Sequence, residues 1–287
     1  MWFILAVISA FLQSTGYAIV KRFSQRINPQ LLAGGSALVT AIILIIISLF
    51  RGVPDIGDGF YVALLVTTLL NTIATLLYFY ALKISDFSLS VPLISFTPIF
   101  LIATSFFILG ELPSIVGSIG ILVAIAGSYI LNIKNKKEPF LEPIKFVVRD
   151  KGCRYMLIVA FIYSITSNYD KIIVLTSDVI FGSAAVFALM GAAILFFFLA
   201  KNGDRFRQIK ENYGIIAIHG ATGAFSAITI NIALSMQIVP YVMSLKRTSV
   251  IFGVLYGRYL FKEKNMRARL VGAVVMLIGT LMILIFK

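Results

Sequence analysis

The sequence predicts an all-α polytopic membrane protein whose ten transmembrane helices form two inverted five-helix repeats. Three observations point there: a composition too apolar for a soluble fold, ten apolar stretches of bilayer-spanning length, and a second half that repeats the first in one register. Of 287 residues, 60% are hydrophobic and 13% charged, and the mean hydropathy is +0.99. A soluble domain carries about 25% charged residues, so a soluble enzyme and a disordered chain are both excluded. The single cysteine, Cys153, rules out a disulfide framework and any Cys-rich metal or cluster site. A net charge of +13 would suggest nucleic acid in a soluble protein. In a membrane protein it reports loops held against an anionic cytoplasmic leaflet, and no nucleic-acid partner is expected.

A helix needs about 20 apolar residues to cross the hydrocarbon core. Ten stretches qualify, at 2–20, 30–50, 60–81, 87–109, 114–133, 155–175, 179–200, 213–236, 239–261 and 266–286. The first opens at Trp2 with no basic segment and no small-residue cleavage site, so it reads as a retained helix. The segments are continuously apolar, not alternating, which argues against a β-barrel. Nineteen of the 25 Lys and Arg residues lie in the loops after spans 1, 3, 5, 7 and 9, among them Lys21, Arg22, Arg26, Lys83, Lys134, Lys137, Arg154, Arg205, Arg207, Lys262 and Arg269. The opposite side holds Arg51, Lys171 and Lys287. Positive loops stay inside, so the odd-numbered loops are expected in the cytoplasm, both termini outside, and the protein in the cell membrane. The loop 134–154, with Pro139, Pro143 and seven basic residues, divides a first repeat at 1–133 from a second at 155–287.

A shift of 152 residues aligns the halves without a gap. Ala81, Leu82, Leu93, Ile99, Phe100, Glu111, Gly120, Val123 and Gly127 fall on Ala233, Leu234, Leu245, Ile251, Phe252, Glu263, Gly272, Val275 and Gly279. Leu5, Val7 and Tyr17 of the first span fall on Leu157, Val159 and Tyr169 of the sixth. Matches of Glu on Glu and Gly on Gly carry more weight than Leu on Leu in so apolar a chain. Five helices per repeat is an odd number, so the second copy enters the membrane from the opposite side. That is the architecture of many secondary transporters, in which the halves exchange conformations about a midplane site.

The stretch from Ser88, SLSVPLISFTPIF, and the following LGELPSIVGSIGILVAIAG resemble the fourth- and fifth-helix signature of EamA-like ten-helix members of the drug/metabolite transporter superfamily. Its parts here are Pro92, Pro98, Gly110-Glu111, Gly117, Gly120 and Gly127. The second copy, SLKRTSVIFGVLYGRYLFKEK from Ser244, resembles the matching ninth-helix segment but lacks both prolines, which fall on Ser244 and Val250. The resemblance implies a secondary carrier of small solutes such as amino acids, other metabolites, nucleotide-linked sugars or toxic compounds. It implies a central cavity lined by helices 1, 3, 4, 6, 8 and 9, with helices 5 and 10 peripheral.

Ionisable groups inside a bilayer are costly and mark function or pairing. Lys246 and Arg247 lie seven to eight residues into the ninth span, and Asp170 and Lys171 lie four to five residues before the outer end of the sixth. The orientation above brings all four to a similar depth. Asp170 could pair with Lys246 or Arg247, one cation could meet an anionic substrate group, or Asp170 could carry a coupling proton. Arg258, one turn from the cytoplasmic end, is expected to snorkel to the interface.

Among the uncharged polar residues, Asn71, Thr75 and Tyr78 share one face of the third span with Thr68 and Thr72 nearby. Tyr163, Ser167 and Asn168 mark the sixth span, and Thr222, Ser226 and Thr229 the eighth. Such stripes line a cavity or bond across helices. Cavity lining is expected of Asn71, Thr75, Tyr78, Tyr163, Asn168, Thr222 and Ser226. His219, the only histidine, lacks a second ligand near it in sequence. An interhelical hydrogen bond or a helix cap is its expected role, with proton coupling the alternative. Pro92 and Pro98 should bend or break the fourth span. Glu111 and Glu263 read as caps for the helices that follow them. Gly117, Gly120, Gly127, Gly272 and Gly279 read as close-packing positions between peripheral helices or against a second protomer, leaving monomer and homodimer both open.

The expected function is secondary transport of a small, anionic or zwitterionic metabolite by alternating access, with export the expected direction. No metal or other cofactor is expected. A carrier of lipid-linked substrates is the nearest alternative. A membrane-embedded transferase would need paired carboxylates or a His–carboxylate set, and of twelve acidic residues only Asp170 is deep. The orientation has a direct test. In a Cys153→Ser background, Lys137→Cys should react with a membrane-impermeant maleimide only in inside-out vesicles, and Arg51→Cys only in intact cells; the reverse pattern would invert the topology.

Overall fold

A computed structural model describes residues 1–23, 26–84, 91–132, 150–201, 205–260 and 266–286. These residues form helices and no strands. The helices are α1 (Trp2–Phe23), α2 (Pro29–Arg51), α3 (Phe60–Ile84), α4 (Thr97–Leu109), α5 (Ile115–Asn132), α6 (Lys151–Leu175), α7 (Val179–Lys201), α8 (Arg205–Met236), α9 (Val239–Lys246), α10 (Ser249–Tyr259) and α11 (Met266–Ile285). A 3₁₀ segment, Val91–Phe96, leads into α4. Six helices among the described residues are long and apolar enough to cross a membrane: α1, α2, α3, α6, α7 and α8. The fourth, fifth and tenth expected spans are shorter apolar helices, and the ninth is divided into α9 and α10.

Local chemistry sets the helix ends. Asn28 precedes α2 and its side chain accepts from Gln30 N at 2.9 Å, with Pro29 in the first turn where its missing N–H costs nothing. Asp178 caps α7 by accepting from Ile180 N at 2.8 Å and also holds Arg51 at 3.3 Å. Gly110 ends α4 in the left-handed region at φ 69°, where its N–H bonds Phe106 O and the Glu111 N–H bonds Ser105 O. The five-to-one bond from Gly110 is that of an αL cap, which favours glycine because a β-carbon is strained there.

The chain divides into two compact units, each drawing on both halves of the sequence. The first comprises Met1–Thr72 and Tyr169–Met236. In it α2 packs on α7 and α8, and α1 on α8. Ile27, Leu31, Leu32, Phe198 and Ile216 fill one end of its core, and Leu44, Ile180, Ala184, Ala224 and Ala227 another. The α2–α8 contact is close: a β-carbon at Gly220 would stand 2.8 Å from Ser36 O, and Thr40 Oγ1 donates to Gly220 O at 2.8 Å.

The second unit comprises Ile73–Asn168 and Gln237–Lys287. Its main seam joins α5 to α11. A β-carbon at Gly120 would meet Gly279 O at 2.9 Å, and one at Gly127 would meet Gly272 O at 2.7 Å. The glycines that match by the 152-residue shift therefore meet crosswise, Gly120 against Gly279 and Gly127 against Gly272. A two-fold relation between α5 and α11 requires that pattern, since each contact is then the image of the other. The backbones approach so closely that dispersion contacts run along the whole seam, the main source of helix association where lipid supplies no hydrophobic drive.

The prolines act differently from a sharp break. Pro92 lies second in the 3₁₀ segment and Pro98 second in α4, positions that need no intrahelical N–H. The shift of 152 carries Val91–Phe96 onto residues 243–248, and there too the backbone tightens. Arg247 N bonds Ser244 O, Thr248 N bonds Leu245 O and Val250 N bonds Arg247 O, all three residues apart. Both repeats thus contain a tightened turn at the same register, although only the first has prolines in it.

Substitution at the glycine seam gives a stability test. Gly127→Ala places a methyl group against the α11 backbone and should cost about 1–3 kcal/mol or more by overpacking. Gly214→Ala, where nothing lies within 4 Å, should leave the melting temperature unchanged or slightly raised. Equal melting temperatures for the two variants in detergent would contradict the seam.

Candidate functional site

In the second unit the tightened stretches of the two repeats line one narrow crevice. Ser95 comes from the first and Pro98 from the start of α4 just after it, Ser244 and Arg247 come from the second, and α5 contributes Ala124, Ile125 and Ser128. Ser95 and Ser128 hydroxyls are bonded at 2.7 Å, and Ser244 Oγ donates to Pro240 O at 2.6 Å. A guanidinium beside these hydroxyls is suited to an oxyanion, because Arg supplies a planar fork of donors; of the hydroxyl protons, that of Ser244 is committed to Pro240 O and one of the Ser95–Ser128 pair to its neighbour, which leaves one to donate. As it stands, the crevice is too narrow for a water molecule. Lys246, beside Arg247, is half-buried at the end of α9.

The start of α9 is fixed by the end of α4. Glu111 Oε2 accepts from Val239 N at 2.8 Å, so its carboxylate reaches the first turn of α9, where anions are favoured. This differs from a cap on the helix that follows Glu111 in sequence. Tyr241 Oη accepts from Ser114 N at 2.8 Å, and its ring lies against Gly117. Gly117 therefore seats Tyr241 and is not part of the α5–α11 seam. Glu263 lies outside the described residues.

The α6 polar residues divide between the units. In the second, Asn168 is fully buried; it accepts from Ser105 Oγ at 2.7 Å and donates to Ser164 O at 2.7 Å and Thr104 Oγ1 at 3.2 Å. That is the packing use of a polar stripe, binding α4 to α6. Ser167 bonds back to Tyr163 O at 2.7 Å. Tyr78 and Tyr163 are partly buried and pack on Ala81, Leu93, Ile94, Cys153 and Met156. Thr75 is half-buried on α3.

In the first unit, Asp170 Oδ1 accepts from Thr67 Oγ1 at 2.8 Å, and Lys171 beside it is 8% exposed. Asn71 is half-buried. Ser226 and Ser9 hydroxyls bond at 2.9 Å across α8 and α1, so Ser226 is engaged in helix packing. Thr222 Oγ1 donates to His219 O at 2.8 Å. His219 Nδ1 is buried and makes no hydrogen bond to a described residue, so the interhelical bond expected of it is not made through that atom. Arg258 is exposed in the last turn of α10. Among the described residues no group of three or more His, Cys, Asp or Glu is placed to hold a metal ion.

Comparison with known proteins decides the family. The EamA-like transporter family matches residues 1–133 and again residues 150–285. The chain belongs to the EamA-like transporter family. It is thus a multi-pass membrane protein of a family of small-molecule transporters. No curated protein matches this EamA-like chain. Its fold is similar to a solved structure described only as a crystal structure of a protein, with 15% identity, a TM-score of 0.77, and 98% of this chain and 95% of that one covered.

Three features of this EamA-like transporter were not evident from its sequence: Thr67 as the partner of Asp170, the serines of the crevice, and the reach of Glu111 to α9. Thr67 sits one residue from Thr68, and nothing in the α3 sequence distinguishes which threonine meets a carboxylate. Ser95 and Ser244 could have been found, since both lie in the tightened stretches that Pro92 and the repeat already marked. The Asn168 network makes a prediction. Asn168→Ala should lower stability by about 0.5–2 kcal/mol, the range of a lost interhelical hydrogen-bond set, and leave the apparent KM for transport unchanged. A raised KM at unchanged melting temperature would instead make Asn168 a substrate ligand.

Proposed function

We propose that this protein is a secondary carrier that moves a small anionic or zwitterionic solute by alternating access, with Lys246 and Arg247 meeting the carboxylate or phosphate of that solute. The observation that carries this reading is the crevice, where Arg247 and Ser244 of one irregular stretch join Ser95 of the other and Ser128 of α5. Carriers with inverted repeats place substrate sites at such discontinuous helices, because a tightened or interrupted backbone offers polar groups that a regular helix uses up. The crosswise glycine seam supports the inverted repeat on which exchange of conformations depends. In this reading the crevice widens to admit the solute, and the orientation drawn from Lys and Arg keeps the 134–154 linker in the cytoplasm of the cell.

Counterflow into proteoliposomes needs no ion gradient, so the coupling ion need not be identified first. Vesicles are preloaded in turn with amino acids, organic anions, nucleotide-linked sugars or organic cations, and uptake of the labelled compound is followed. Accumulation of an acidic or zwitterionic compound is expected. Arg247→Gln and Lys246→Gln should each raise its apparent KM roughly tenfold or more, the scale of one lost charge-assisted bond. Accumulation of organic cations alone, or unchanged KM in both variants, overturns the assignment. Silence across all four classes from folded protein would favour a lipid-linked substrate.

A further inference from the structure

Charge is unevenly distributed over the first unit. Where α1 leads into α2 and α7 into α8, residues 21–26 and 201–211 hold seven Lys and Arg against two carboxylates, Asp204 and Glu211. At the other end of the same unit Arg51 of α2 is paired with Asp178 before α7, at 3.3 Å, and the loop into α3 adds Asp55 and Asp58. One end of the unit is strongly cationic and the other is acidic.

One core cluster draws the exposed cations together. Phe23, Ile27 and Ile209 pack in the cluster of Leu31, Leu32, Phe198 and Ile216. Arg22, Arg26 and Lys210 are their immediate chain neighbours, and all three are exposed. The Arg22 guanidinium stands 5.8 Å from the centre of the Phe23 ring. Arg207 is bonded to Glu211 at 2.7 Å, so it takes up the one carboxylate of this end among the described residues. Asp204 lies outside them.

The same end lies at headgroup depth. With 32 residues, α8 is about 48 Å long at 1.5 Å per residue, against about 30 Å of hydrocarbon. No Lys, Arg, Asp or Glu occurs from Asn212 to Met236, so the surplus length falls at Arg205–Glu211. Tyr213, 72% exposed, stands at the boundary, as interfacial aromatics do. In α1 no charged residue occurs from Trp2 to Val20, and the helix closes on Lys21, Arg22 and Phe23. Tyr17 on α1 and Ile218 on α8 turn apolar surface outward on the membrane side of these cations. A ligand here meets cations at one level and hydrocarbon at the next, which are the complements of the two parts of a phospholipid.

We infer that the cationic end of the first unit binds an anionic phospholipid, with the phosphate held by Arg22, Arg26 and Lys210 and the acyl chains against α1 and α8. Each guanidinium presents a fork of donors to phosphate oxygens, and Lys210 adds a point charge. A zwitterionic lipid brings a cation of its own to the same place and is disfavoured. The site belongs to the first unit and the crevice to the second, so its test needs no transported solute. The full chain is purified in a non-ionic detergent, dioleoyl-phosphatidylglycerol or dioleoyl-phosphatidylcholine is added, and melting temperature and the lipid retained in native mass spectrometry are measured. Phosphatidylglycerol should raise the melting temperature above the value with phosphatidylcholine, as a ligand of the folded state does. Arg22→Gln, Arg26→Gln and Lys210→Gln should each weaken its apparent Kd about fivefold, the scale of one basic residue at an anionic membrane surface. The triple variant should lose the shift, and the single variants carry the test where the triple does not fold. A variant with Lys134→Gln, Lys136→Gln and Lys137→Gln removes the same charge from the linker and should keep the shift. Equal melting with both lipids, or single variants that bind phosphatidylglycerol as the native chain does, overturns the proposal. An equal loss in the linker variant overturns it by making the effect one of net charge. A shift reproduced by glycerol phosphate at the same concentration overturns it by replacing the lipid with a soluble anion.

Discussion

Lipid hydrocarbon offers no hydrogen-bond partner to a backbone or side-chain polar group, and the details of this chain follow from how it meets that constraint. Many hydroxyls bond back along their own helix, as Thr72 does to Thr68 O and Ser36 to Leu32 O. Others cross to a neighbour, as in the network of Asn168 with Thr104 and Ser105. Where two backbones must approach, glycine removes the obstacle, and α5 and α11 touch along Gly120, Gly127, Gly272 and Gly279. Polar satisfaction and close packing are here one requirement, since a hydroxyl can cross to a facing carbonyl only where the helices are near.

The repeat is visible in backbone as well as in side chains. Its matched glycines pair crosswise, and its matched turns tighten together. Serines from both turns then share a lining with Arg247. Symmetry alone would make a structural element of this place. The cation breaks the equivalence, because the residue 152 positions before Arg247 is the neutral Ser95. The frame is symmetric there and the charge is not.

Much of the frame was legible in the sequence because its causes are local or periodic. Span length follows from bilayer thickness, and the glycines announced their seam through the 152-residue register. The family resemblance rested on the same residues and agrees with the match across both halves. The site was less legible. Asn168 and Thr222 look alike as polar residues on apolar helices, yet one binds α4 to α6 and the other bonds back to His219 O. Which use a hydroxyl or amide finds depends on the neighbour that rotation and tilt bring to it, and one helix does not encode the tilt of another. Glu111 shows the same limit: its position at a helix end was evident, but its partner is 128 residues away in α9.

Each compact unit takes helices from both ends of the sequence, and this has a consequence for biosynthesis. When the ribosome has delivered α5, Gly120 and Gly127 face lipid, because the helix that will cover them is the last of those described to be made. Thr40 likewise waits for Gly220. The early helices must therefore persist in the bilayer as separate rods, held by their own internal bonds, until later ones reach them. Assembly of either unit is a lateral search within the membrane by helices already inserted, and the first unit waits for α8 and the second for α11.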